Sequence, residues 1–334
     1  MLYRRLGDTD LDVSVICFGP MRSAARDPGD DDTSRNGELA LRRALDVGVN
    51  FLHSSYEYRT RWMMERVLRD HPLRSEIHHV IKLPVPDAAD QDRFDPGKFR
   101  MRIEEALRDL HAERISVLQW IWRSDPNIDE RRLPLLGRIL DDVVATFEQM
   151  RDDGKVGHLL TFPYTVKCGR AAMETGRFGG LVNHFNLLET EFGDLFDELH
   201  RRGMCFLPFR PLYQGILTDE RANRSALPDG DRCATAQYDP AYARLDLLKR
   251  EFADEIGDSM TGFALRFALA HPAVTSVILG LNRVDQVDST IRALDHPIPG
   301  AEILSRVRRI TPDALPDPPH AREFAKTGRG NRAS

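Results

Sequence analysis

Eight short apolar runs, each followed by a longer amphipathic stretch, constrain this chain more than any other feature of its sequence. The runs are VSVICFG, VNFL, HHVIKL, ISVLQWIW, GHLLTF, LVNHF, MCFLPF and VTSVIL. Between them lie helical stretches such as ELALRRALDVG, FRMRIEEALRDLHA, LLGRILDDVVATFEQMRDDG and MTGFALRFALAH. In the first of these, Leu39, Leu41, Ala44 and Leu45 fall close to one face at a helical period, and Gly48 and Gly154 stand where C-terminal caps are expected. Such an alternation over about 300 residues predicts an α/β fold, a closed (β/α)8 TIM barrel. A doubly wound sheet is the alternative; it wants a GxGxxG turn after the first strand, and CFGPMRSAA does not supply one. The opening LYRRLGDTDLDVSV reads as an N-terminal β-hairpin with its turn near Gly7–Asp10. No break in composition splits the chain. Residues 1–317 are therefore expected to form a single barrel domain, and residues 318–334, ending TGRGNRAS, a partly disordered tail.

A barrel of this kind places its chemistry at the C-terminal ends of the strands. The residues to inspect are then His53 to Arg59, Lys82, Trp122–Arg123, Phe162–Pro163, Phe209–Arg210 and the segment after Leu279. Composition narrows the partners. A net charge of −5 does not advertise nucleic acid. The four cysteines, Cys17, Cys168, Cys205 and Cys233, are far apart and have no metal-ligand spacing, so reduced thiols, no metal and a cytoplasmic setting are expected. The start, MLYRRLGDTD, is too polar for a signal peptide, and no apolar run approaches the roughly 18 residues that would span a membrane.

The segment NFLHSSYEYR ends a buried run in polar side chains, and HHVIK ends one in a lysine. Tyr58 and Lys82 would come from adjacent strands and meet at one end of the barrel. A nearby ammonium stabilises phenolate, so such a tyrosine can serve as a proton donor. The plainer reading is an exposed loop tyrosine beside a snorkelling strand-end lysine.

Six segments in order resemble the aldo-keto reductases over nearly the whole length. YRRLGDTDLDVSVICFGPMR looks like that family's hairpin and first strand, GVNFLHSSYEYR like its GxNFxDTAxxYG segment, and VIK like its lysine strand. GKVGHLLTFP resembles GKIRxIGxSN, FLPFRPLYQGILT resembles YSPLxxGxLT, and ALRFALAHPAVTSVILGLNRVDQV resembles the closing cofactor segment. The resemblance implies reduction of carbonyls with NADP(H) and without metal. Tyr58 would be the general acid and Lys82 its partner, with His53 in the place of the family's aspartate. The family's histidine falls on Ile121 or Trp122, depending on one residue of strand register; of the two, only the Trp122 indole N–H could donate. With His53 for aspartate, burial of Lys82 would go uncompensated. A neutral Lys82 could then act as base or amine nucleophile.

For the cofactor, the resemblance implies Phe209 stacking on the nicotinamide, and Arg210, Leu212 and Gly215 near the pyrophosphate. Gly280, Asn282 and Gln286 match phosphate and adenine positions. Arg283 is the candidate for a 2′-phosphate, and Asn183 lies near the amide-binding glutamine. Four positions depart from the pattern: Phe162 and Pro163 replace the pair that holds the nicotinamide amide, and Ser289 and Thr290 replace the pair that reads adenine. Arginines 59, 61, 123 and 210 all follow strand ends, and such a rim suits an anionic group on the substrate, on the dinucleotide, or on both; the plainer alternative is a solvated rim that pairs with Glu57, Asp125 or Glu65. Three readings stand. The first is an NADP(H)-dependent oxidoreductase acting on a small carbonyl or alcohol. The second is a cofactor-independent lyase or isomerase using His53, Tyr58 and Lys82. The third is a catalytically silent binding or regulatory protein.

Overall fold

The computed structural model describes residues 1–87, 90, 92–311 and 315; the expected tail, 318–334, lies outside them. A two-stranded antiparallel hairpin comes first, β1 (Tyr3–Arg5) and β2 (Asp12–Ser14), with Tyr3 opposite Ser14 and Arg5 opposite Asp12. Eight parallel strands then close into a barrel: β3 (Ile16–Phe18), β4 (Phe51–Ser55), β5 (His78–Pro84), β6 (Ile115–Ile121), β7 (Val156–Thr161), β8 (Gly180–His184), β9 (Cys205–Phe209) and β10 (Val277–Leu279). β10 pairs with β3 at Val277↔Ile16 and with β9 at Ile278↔Phe209, which completes the ring. This is the (β/α)8 barrel with an N-terminal hairpin that the alternation predicts.

Helices fill the crossovers: α1 (Asp32–Asp46), α2 (Arg61–Leu68), α3 (Pro96–Asp109), α4 (Asp129–Asp152), α5 (Val166–Glu174), α6 (Phe196–Arg201), α7 (Asp239–Glu251), α8 (Ala253–Ile256), α9 (Met260–Ala268), α10 (Val284–Ala293) and α11 (Glu302–Ile310). Each start has a local cause where a cap is present. Asp31, Asp95, Thr165 and Ser259 accept from backbone N–H groups in the first turns of α1, α3, α5 and α9. Gly48 and Gly154 end α1 and α4 with φ of 91° and 74°, a conformation that costs a β-carbon dearly. One sequence expectation is corrected here: Leu39 is 54% exposed, while Ala40, Leu41, Ala44 and Leu45 form the buried stripe. Leu39 and Leu41 are two residues apart, which on a helix points them to different faces.

Two apolar layers follow from strand alternation. Cys17, Phe51, Val80, Val117, Leu160, Val182, Cys205, Leu207 and Ile278 fill the inside of the barrel. Their neighbours in sequence, such as Phe18, Leu52, Ile81, Leu118, Leu181 and Phe206, pack outward under the helices. Leu6 and Val13 of the hairpin join the inner cluster, so the hairpin stoppers the N-terminal end. At that end His158 of β7 is held by Asp10 of the hairpin turn at 3.1 Å, so the C-terminal end is the open one. Among the described residues no helix is long and apolar enough to cross a membrane.

Candidate active site

The same alternation decides which side chains enter the mouth. On β4, Phe51 is inside and Leu52 outside, so His53 and Ser55 project inward. On β5, Val80 is inside, so Lys82 follows it. β4 ends in a 3-10 turn, Tyr56–Tyr58, started by Ser55 Oγ accepting from Glu57 N. The turn brings Tyr58 back over the barrel, 91% buried, with its ring centroid 5.9 Å from that of His53. The Lys82 ammonium lies over the Tyr58 ring, 5.2 Å from its centroid. Phe209, at the end of β9, completes the group at 6.2 Å from His53. Tyr58, Lys82, His53 and Phe209 therefore do meet.

Register settles the β6 position. Val117 faces inward, so Gln119 and Ile121 do too, and Trp120 and Trp122 face out. Trp122 is fully buried behind the sheet, stacked on Trp120 at 5.3 Å, and its indole donates to the Arg132 carbonyl at 3.1 Å. The choice left open between Ile121 and Trp122 is thus decided: Trp122, the candidate hydrogen-bond donor, does not enter the pocket, and Ile121 takes the inward place. Asn183 is corrected for the same reason. Val182 points inward, which turns Asn183 to the back of β8, where its Oδ1 accepts from His184 N at 2.7 Å.

Several contacts at the mouth lie beyond what the sequence alone leads one to expect. Gln119 Oε1 lies 2.9 Å from His53 Nε2. Glu57 binds Lys82 Nζ at 2.7 Å and Arg123 Nη1 at 2.8 Å, and Arg123 Nε donates to the Tyr164 hydroxyl at 3.0 Å. His184 stacks on Phe209 at 5.8 Å and meets Phe162 edge-on at 5.8 Å. A signal existed for His184, since it stands two residues after the inward Val182. Glu57 is expected as a partner of the rim arginines, but nothing in the sequence points it at Lys82, since its place in a tight turn fixes no direction.

Electrostatics follow from burial and this pairing. Burial pushes the His53 imidazole down to about 4, further than its bond to Gln119 can restore, so it is neutral near pH 7. Burial alone would raise the Glu57 carboxyl; Lys82 and Arg123 outweigh it and hold the group at about 2. Lys82 is lowered, first by burial and then by Arg123, with Glu57 opposing. Tyr58 is raised above the usual phenol range, by burial and then by the Glu57 charge. Its phenol is therefore firmly protonated.

The expected basic rim is largely spent on carboxylates. Arg59 pairs with Asp27, Arg61 with Asp109, and Arg123 with Glu57. Arg210 differs: its Nε and Nη2 are buried without a hydrogen-bond partner, and Glu189 approaches only Nη1, at 3.8 Å. Such orphaned guanidinium N–H groups suit an anion. Beyond Arg210 the chain turns at Leu212 and Gly215, the latter with φ 92°. Across the barrel seam, a β-carbon on Gly280 would meet only Gly19 O, at 3.9 Å, so the backbone there is open to a ligand. Ser23 Oγ donates to Leu281 O and Asn282 Oδ1, both at 3.0 Å, and Gln286 accepts from Asn282 N at 2.9 Å. Arg283 is held by Asp285 and Glu220. Ser289 Oγ donates to Gln286 O, and Thr290 is buried. A dinucleotide thus fits at its phosphate end and at the Phe209 ring. Phe162 and Pro163 offer its carboxamide no side-chain partner.

A separate cleft of about 520 Å³ lies on the flank between α2 and α3, lined by Trp62, Arg102 and Asp109 among others. Its ions pair mainly with one another, and it borders the mouth at Ser55, Arg59 and Arg61 without including Tyr58, Lys82 or His53. Among the described residues no group of three or more His, Cys, Asp or Glu could hold a metal ion.

Comparison with known proteins bears on this site. The aldo/keto reductase family model matches residues 15–309. The uncharacterized oxidoreductase YrpG of Bacillus subtilis (strain 168) is 26% identical over 96% of this chain and 99% of its own length. A probable voltage-gated potassium channel subunit beta of Arabidopsis thaliana is 24% identical over 93% of this chain and 96% of its own. Among solved structures, the glycerol dehydrogenase AKR11B4 from Gluconobacter oxydans superposes with a TM-score of 0.73, at 21% identity, covering 94% of this chain and 98% of that one. The match by family model spans both the tyrosine turn and the segment after β10, and this chain belongs to the aldo/keto reductase family.

Proposed function

We propose that the protein is an NADP(H)-dependent oxidoreductase acting on a small carbonyl/alcohol pair, with Tyr58 as proton donor supported by Lys82. The observation that carries this reading is the convergence of Tyr58, Lys82 and Phe209 at one barrel mouth, beside a guanidinium with buried, unpartnered N–H groups. A bound dinucleotide supplies the hydride. Arg210 would hold its pyrophosphate and Phe209 the face of its ring. Arg283 would turn to a 2′-phosphate, since its ion pairs are exposed and such pairs are worth only about 0–1 kcal/mol. Tyr58 stays a phenol across the physiological range, which suits donation to a carbonyl oxygen in reduction. Alcohol oxidation would need phenolate and would gain only at high pH. The substrate would be a small molecule received at the mouth of a protein residing in the cytoplasm.

Titration with NADPH, followed by nicotinamide fluorescence or calorimetry, tests this. Binding at micromolar concentration or tighter is expected, weaker with NADH. No binding up to millimolar would end the hydride-transfer reading. One second reading has specific support, a catalytically silent binding protein. Phe162 and Pro163 leave the carboxamide unheld, and Tyr58 is tuned away from ionisation. It would bind the dinucleotide, if at all, without turning over any carbonyl.

A further inference from the structure

His53 stands where the family pattern has an aspartate, and its imidazole is engaged by Gln119. The carboxylate that a buried lysine needs has not vanished from the site. Lys82, with a side chain only 14% exposed, binds Glu57 Oε2 at 2.7 Å. The other oxygen of Glu57 is bound by Arg123 Nη1 at 2.8 Å, and Arg123 is fixed in turn by the Tyr164 hydroxyl at 3.0 Å. Glu57 precedes Tyr58 in the same tight turn, so one backbone element carries both the acid and the lysine's counter-charge.

We propose that Glu57 is the positioning residue of this site, supplying the negative charge that β4 no longer carries and keeping Lys82 charged and fixed over the Tyr58 ring. Its bearing on proton donation rests on the role given to Tyr58 above. The groups facing Lys82 leave no substitute. His53 is neutral and buried, Tyr58 is a phenol, and Arg123 is a second cation that repels the ammonium. Without Glu57, two buried cations would share the mouth with no anion between them. The pairing also revises the chemistry open to Lys82. An ammonium held by a carboxylate is neither a base nor an amine nucleophile, so the lysine acts through its charge.

The test reads the lysine itself. The chain has six lysines, so selective nitrogen-15 labelling gives a small set of Nζ signals that Lys82→Arg assigns. In the full-length protein the Lys82 signal is expected to keep its ammonium shift through neutral pH. Glu57→Gln should move its midpoint to lower pH. Glu57→Ala, which removes the carboxylate by truncation, should move it to lower pH as well; this keeps the test decisive should Glu57→Gln not fold. An unchanged midpoint in either variant overturns the proposal. The readout needs neither cofactor nor turnover. A failure of NADPH to bind, with Lys82 titrating as expected, would sink the oxidoreductase reading and leave the role of Glu57 standing.

Discussion

Tyr58 carries its function in one hydroxyl and its packing in the ring. The ring sits against His53 and under the Lys82 ammonium, and phenylalanine would keep both contacts. Tyr58→Phe is therefore expected to lose about 10²- to 10⁴-fold in turnover, with unfolding free energy changed by no more than about 0.5–1 kcal/mol. Parallel denaturation and single-turnover assays would check it; a variant that still turns over would remove Tyr58 from the mechanism. The histidines make a second prediction. Burial holds both His53 and His79 at about 4, against 6.5 in the unfolded chain. Between those values the unfolded state binds more protons, so stability is full above pH 6.5 and falls as pH drops toward 4, by roughly 3 kcal/mol per histidine. Urea unfolding at stepped pH should show this slope, and His53→Gln should flatten it by about half. A slope unchanged in that variant would mean His53 is not buried as described. Tyr58, Lys82 and Phe209 were legible because motif and strand end coincide. The bond of Glu57 to Lys82, and Gln119 altogether, were not, since a side chain's direction out of a tight turn, or from inside a continuous apolar run, depends on neighbours that the sequence does not order.

Helices and loops transmit the fold to the site through close approaches, and glycines mark them. In α1, a β-carbon on Gly37 would lie 1.7 Å from the Ser23 carbonyl oxygen. Ser23 is also the residue whose hydroxyl holds Leu281 O and Asn282 Oδ1 in the segment after β10. Gly37→Ala must push helix and loop apart, at a cost of about 1–3 kcal/mol, and should weaken NADPH binding as well. Gly137 of α4 is the contrast, exposed and with no atom within 4 Å of an added β-carbon. Gly137→Ala should stabilise the protein by about 1 kcal/mol and leave binding alone. Chemical denaturation of the two variants checks both signs; equal effects would mean that α1 does not rest on the Ser23 loop. At this scale the sequence was a good guide to type and order, because hydrophobic period and glycine caps are local. It misjudged the face of Leu39 and the placement of Asn183, and it left Ile121 against Trp122 open, because one residue of register reverses inside and outside.

For the molecule as a whole, the hairpin and the barrel divide stability and function between two ends. Leu6 and Val13 stopper the N-terminal end as part of the inner core, and every polar group of the candidate site lies at the other. The hairpin itself was readable from its turn residues; that it plugs the barrel was not, because the contact joins segments distant in sequence. The division can be tested with one variant at each end. Leu6 is fully buried, and Leu6→Ala should cost about 2–5 kcal/mol without altering NADPH affinity per folded molecule. Arg210→Gln should do the reverse, because the guanidinium has two buried N–H groups that no protein atom satisfies. Its removal costs the folded state little, while NADPH binding should weaken and lose part of its salt dependence. Unfolding midpoints and NADPH titrations at two ionic strengths, run on both variants, would separate the ends. If Leu6→Ala weakened binding as much as Arg210→Gln, the two ends would be coupled through the inner core, and the mouth would be no rigid site set on an independent scaffold.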